Sequence, residues 1–114
     1  MKVNVIDYST GSTLLMWHCP ACDTSHSVHV KRAPGEEGPV WTWNNDIHNP
    51  TIQPSVRVSG TRPLTEDEYQ RVIRGEKVET VDTTCHFHII DGKIAFCGDC
   101  THALNGKTID MVED

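Results

Sequence analysis

A chain of 114 residues, 37% hydrophobic and 23% charged, has room for one small core and excludes a membrane-embedded or low-complexity protein. Its formal net charge of −6, with lysines and arginines scattered along the chain, argues against a general nucleic-acid binder, because neutralising phosphates takes clustered cations. Five cysteines are an odd number for a closed disulfide framework, and the start, Met1-Lys2-Val3-Asn4-Val5-Ile6, lacks the apolar core of a secretion signal. The expectation is a cytoplasmic protein with reduced thiols.

Val3, Val5 and Asp7 alternate with Lys2, Asn4 and Ile6, which reads as a short first strand. Thr13 to His18 forms a second strand leading into Cys19-Pro20-Ala21-Cys22, and His26 to Lys31 a third leading out of it. Residues 33–39, rich in Pro and Gly, are a loop. Val40-Trp41-Thr42-Trp43-Asn44 places two tryptophans on one face at period two. The two prolines of His48 to Ser55 predict an extended surface segment, and Val56-Arg57-Val58 a short strand. Leu64 to Gly75 is the predicted helix: Thr65 and Glu68 form a capping box, and Gly75 suits the C-terminal cap. Its thin stripe of Tyr69, Val72 and Ile73 predicts packing at a side or edge of a sheet.

Asp91-Gly92 between two apolar runs is a two-residue hairpin signal. It sets Ile90 opposite Lys93, Ile89 opposite Ile94 and Phe87 opposite Phe96, with Cys85, Phe87, Ile89, Ile94 and Phe96 on the buried face and His86 and His88 on the other. Asp99 to Leu104 predicts one helical turn, and Thr108 to Val112 a closing strand. The fold expected is mainly β (α+β): a single domain over 1–114, antiparallel, with zinc-knuckle or ribbon-like hairpins and one peripheral helix.

The chemistry sits in the cysteines. Two thiols three positions apart on a tight turn supply half of a tetrahedral zinc site, and Cys97-Gly98-Asp99-Cys100 repeats the spacing. The alternative for each is a buried free cysteine of the core. Cys19 and Cys22 are the firmest zinc ligands, followed by Cys100. For the fourth place, spacing favours Cys97, while hairpin geometry offers Cys85, with His86 if the site faces the other way. His102, two residues beyond Cys100, fits a hydrogen-bond partner of a ligand or an alternate ligand. His18, His26, His29 and His48 read as surface residues, Trp41 and Trp43 as core rather than a stacking platform, and Asn44, Thr51 and Ser55 as turn and loop residues.

The combination of Cys19-Pro20-x-Cys22, Trp41-x-Trp43-Asn44, Pro50-Thr51-x-x-Pro54-Ser55, the Leu64-Thr65-x-x-Glu68-Tyr69 helix, Cys85-His86 and Asp99-Cys100-Thr101-His102-Ala103-Leu104 resembles a family of small phage and prophage proteins of unassigned function. Some members carry an ammonia monooxygenase label that no chemistry here supports. The resemblance covers nearly the whole chain and implies a phage setting and bound Zn2+. Relatives often place leucine at the position of Cys97 and have no second histidine at that of His88. This weakens Cys97 as a ligand and leaves Cys85 as the fourth, with His86 and Cys97 as alternates.

A zinc site filled by four protein ligands leaves no open position, so the sequence favours a binding module without catalytic residues, directed at a host or phage protein. A metal-dependent hydrolase built on His86, His88, Asp99 and His102 is the second reading, and would require three ligands and a water. A small-ligand or nucleotide pocket around Arg57, Arg62, Trp41 and His102 is the third.

Overall fold

The Asp91-Gly92 turn forms as its residues require. Asp91 (φ 49°) and Gly92 (φ 74°) both take positive φ, the signature of a tight hairpin turn whose twist matches its strands. The structure is a computed structural model that describes residues 1–62 and 64–113. The turn joins strands Asp82–Ile90 and Lys93–Phe96 in the expected register: Ile90 faces Lys93, Ile89 faces Ile94 and Phe87 faces Phe96. Cys85, Phe87, Ile89, Ile94 and Phe96 are all buried, as the alternation predicted.

Two antiparallel sheets make up the fold, which is mainly β with one short helix. The first holds β1 (Asn4–Asp7), β2 (Thr13–Cys19) and β3 (Thr24–Lys31) in that order. The second holds β4 (Thr42–Trp43), β5 (Ile52–Thr61), β6 (Asp82–Ile90), β7 (Lys93–Phe96) and β8 (Thr108–Asp110), also in chain order. Leu15, Trp17, Cys19 and Val28 of the first sheet share a buried cluster with Ile52, Val56, Phe87, Ile89 and Ile94 of the second. At its centre the Trp17 and Phe87 rings meet edge to face at 6.1 Å, the arrangement that aromatic quadrupoles favour. Trp41 and Trp43 are half-buried against this cluster, in keeping with a core role.

The fold departs from the sequence reading in three places. The segment 48–55 is not a surface strip: Pro50 and Ile52 are fully buried, and Ile52 opens the ten-residue β5 by pairing with Ile89. Apolar burial of Ile52 outweighs the strand-breaking tendency of the prolines. Pro54 avoids the cost of its missing N–H by lying in an irregularity, where the register jumps between Ile52 and Val56.

The helix α1 (Glu66–Ile73) has its capping box, with Glu68 N–H donating to Thr65 Oγ1 at 3.2 Å and Thr65 N–H to Glu68 at 3.0 Å. It buries no residue, however, and Tyr69, Val72 and Ile73 remain exposed. Caps and the bidentate Arg62–Glu68 pair, at 3.0 and 3.1 Å, hold it locally in place of packing. Residues 99–104 form turns and bends in place of a helical turn. Among the described residues no helix is long and apolar enough to cross a membrane.

Candidate functional site

Two clusters of chemically active side chains flank strand β6, one on each face. On the inner face, Cys19 at the end of β2, Cys22 in the following turn, His26 of β3 and Cys85 of β6 converge, with one ligand atom of each within 4.8 Å of the others. Asp23, at φ 51°, closes the turn that carries Cys22 back toward Cys19. Three thiols and an imidazole form a donor set that suits a tetrahedral metal ion. Cys85 contributes from the second sheet and the rest from the first, so an ion here would tie the sheets together.

The thiols of this cluster are unequal. Cys19 is held well below the usual thiol range, mainly by a hydrogen bond from Cys85, helped by His26 and by the backbone N–H groups of Cys22 and Ala21, against the cost of burial. Cys85 is pushed up, because its hydrogen bond to Cys19 requires its proton and because it is buried. Cys22 is raised chiefly by burial. The buried Nε2 of His26 has no hydrogen-bond partner among the described residues. One nitrogen of the His26 ring lies within 4.8 Å of the three sulfurs, which fits a metal-ligating role, because a dication would bind the nitrogen and neutralise the thiolates.

The sequence reading put His26 on the surface, and the structure corrects this: it is buried and stacks on Phe87 at 5.7 Å. Alternation along β3 carried the missing signal, since His26 shares its face with Val28. His102 lies where a partner of a ligand should. Its Nδ1 accepts the backbone N–H of Leu104 at 3.2 Å, which leaves Nε2–H facing Cys85 Sγ at 3.4 Å. Cys100 is buried next to this group, with its thiol clamped on the His86 backbone. It accepts from His86 N–H at 3.3 Å and donates to His86 C=O at 3.1 Å. The alternates His86 and Cys97 belong to the other face.

On that outer face, His86 Nε2 lies 3.1 Å from Ser55 Oγ, and His86 Nδ1 lies 3.2 Å from both carboxylate oxygens of Asp99. A hydroxyl, an imidazole and a carboxylate thus stand in line. The carboxylate accepting from Nδ1–H fixes the tautomer in which Nε2 can accept a proton from the serine.

Each member is positioned by its element. Ser55 is presented by the β5 irregularity, in which Gln53, Pro54 and Ser55 together oppose His88 between the Ile52–Ile89 and Val56–Phe87 pairs. The Trp41 indole N–H donates to the Ser55 carbonyl at 3.2 Å. His86 is fixed through its main chain by Cys100 and by Cys97 N–H, which donates to its carbonyl at 2.8 Å. The loop carrying Asp99 is stitched to β6 by Thr101: its N–H donates to Thr84 C=O at 3.0 Å and its Oγ1 accepts from Thr84 N–H at 3.0 Å. The His86 side chain is 26% exposed and that of Asp99 51%, so the line opens to solvent.

Beside Ser55 runs an open groove of about 500 Å³ lined by Val40, Thr42, Gln53, Pro54, Ser55 and His88. Cys97 adjoins the His86–Asp99 pair, but its thiol is pushed up by burial and by the charge of Asp99, so it is a poor competing nucleophile.

The family model described as bacterial ubiquitination-like system serine protease (BubE) matches residues 2–97. The chain belongs to the BubE family. Ser55 and His86 lie within the matched span, and Asp99 just beyond it. No curated protein and no solved structure gives a significant match. The resemblance drawn from the motifs pointed to phage proteins of unassigned function. The BubE match instead indicates a component of a bacterial ubiquitination-like system, and the Cys/His cluster is compatible with both.

Proposed function

We propose that this BubE-family chain is a serine hydrolase that cleaves a peptide or isopeptide bond at the C-terminal carbonyl of a ubiquitin-like protein. The Ser55–His86–Asp99 line carries this reading, and the serine protease named in the family description supports it. His86 Nε2 takes the proton from Ser55 Oγ as the oxygen attacks the scissile carbonyl carbon. The tetrahedral adduct collapses, and His86 returns the proton to the leaving amine. Water, deprotonated by the same nitrogen, then attacks the acyl-serine ester and frees the carboxylate. Asp99 orients the ring and stabilises the imidazolium that forms at each proton transfer. The groove past Val40, Thr42 and His88 suits an extended chain end.

The inner cluster is best read as a structural zinc site held by Cys19, Cys22 and Cys85, with His26 or Cys100 as the fourth ligand. Zinc there would supply folding energy by joining the two sheets, and four protein ligands leave it no open position for substrate. All five cysteines are free, which favours a cytoplasmic location. The partner becomes a ubiquitin-like protein or its conjugate rather than an unspecified host or phage protein. A phage setting rests on the motif resemblance alone.

The test uses a bacterial ubiquitin-like protein with a short C-terminal extension as substrate. Intact-mass analysis should show loss of the extension with the wild type and none with Ser55→Ala. Equal cleavage by both would overturn the assignment of the nucleophile.

A further inference from the structure

His86, Cys97 and Asp99 each place one ligand atom within 4.8 Å of the other two. On the His86 ring the nitrogen beside Asp99 is Nδ1, at 3.2 Å from either carboxylate oxygen. Two ligands of a tetrahedral zinc stand roughly 3.3 Å apart when each bond is about 2.0 Å, so this edge already has the length a zinc would impose. Cys97 supplies the soft third donor. It enters from the residue after β7, held close because its N–H donates to the His86 carbonyl at 2.8 Å. Unlike the inner cluster, this group is half-open to solvent and has three protein donors, which leaves a fourth position for water.

We propose that His86, Cys97 and Asp99 form a second, reversible binding site for a soft divalent cation such as zinc, and that its occupation switches the hydrolase off. The inference rests on the reading of Ser55, His86 and Asp99 as the hydrolytic line. A cation bound to Nδ1 displaces the proton from that nitrogen, so the neutral ring carries its single proton on Nε2. Nε2 then has no lone pair for Ser55. The carboxylate of Asp99, drawn to the cation, no longer accepts from Nδ1–H. One ion therefore disables both base and orienter without touching the nucleophile. Cys97 takes no part in the proton transfers, so its removal abolishes the switch and spares the reaction.

The experiment titrates the full chain, purified in its metal-loaded state, with zinc chloride against a chromogenic chelator. In parallel it follows the rate at which a fluorophosphonate labels Ser55. The wild type should bind one zinc equivalent more than Cys97→Ser and Cys97→Ala. Its labelling should slow by about 100-fold or more at saturating zinc, the scale expected when a catalytic base is lost, and recover with chelator. Both Cys97 variants should label at the wild-type rate without zinc and keep that rate with it, with unchanged melting temperatures. Equal zinc uptake by wild type and variants, or zinc inhibition that persists in the variants, would overturn the proposal. A lowered melting temperature in both variants would also do so, by placing Cys97 in the structural site. Failure of the hydrolase reading gives a different result: no serine labelling in any form, whatever the zinc uptake.

Discussion

Cys85 and His86 are sequence neighbours on one strand, yet they face opposite sets of polar groups. The inner face of β6 presents Cys85 to a buried group of sulfur and imidazole donors. The outer face presents His86 to a hydroxyl and a carboxylate in contact with solvent. Period-two alternation makes this division possible within two residues. The inner face does not merely support the fold. Cys100, buried beside the thiols, grips both backbone groups of His86, and Asp99 is its immediate neighbour. The apolar, sulfur-rich side therefore sets the geometry that the polar side uses.

Substitutions on the two faces should separate the roles. On the outer face, Ser55→Ala should cut cleavage of the extended ubiquitin-like substrate by about 10⁴-fold or more while the melting temperature holds. A steady-state assay paired with a thermal melt reads both. Asp99→Asn should lower kcat by roughly 10³- to 10⁴-fold with KM little changed, because the wrong tautomer of His86 would be favoured; a loss confined to KM would argue that Asp99 binds substrate instead.

On the inner face the order of effects reverses. Cys85→Ser should destabilise the fold by about 3–5 kcal/mol in chemical denaturation, through loss of a ligand that ties the sheets, and activity should fall only as the folded fraction falls. Chelation of the wild type should lower its melting temperature in the same way, and a melt indifferent to chelator would contradict the zinc assignment.

The smallest effect belongs to the helix, which touches neither face. Thr65→Ala should cost about 1 kcal/mol or less through the lost cap, with kcat and KM unaltered. Its acid response has a definite sign. Glu68 is held down to about 2, first by the Arg62 guanidinium. Its contribution to stability is therefore complete above the usual glutamate range and disappears as the pH falls through about 2. Melts of Glu68→Gln across that range should show a flatter acid limb.

Much of the inner face was legible in the sequence, and most of the outer was not. The hairpin register followed from Asp91-Gly92 and the alternation of Phe87, Ile89, Ile94 and Phe96, because one buried face forbids a slip. Cys19 and Cys22 declared themselves by spacing. His26, which the structure brings into the same cluster, did not, since it looks like any polar strand residue until the opposing sheet covers it. Ser55 was hidden more deeply. It lacks the glycine-flanked turn that marks many nucleophiles, and the order Ser55, His86, Asp99 along the chain matches none of the three familiar triad orders. Its place is created by pairing of β5 with β6 across an irregularity, a long-range event that Gln53-Pro54-Ser55 does not encode locally. His86 and Asp99 were read, with His88 and His102, as the base and water-polarising groups of a metal-dependent hydrolase, because nothing local placed Ser55 beside them.

The most direct measurement is the site of covalent attack. Wild-type protein treated with a fluorophosphonate should carry one adduct, which peptide mass spectrometry places on Ser55, and His86→Ala should remain unlabelled. Labelling at another residue, or labelling of Ser55 that survives loss of His86, would contradict an activated serine on the outer face of β6.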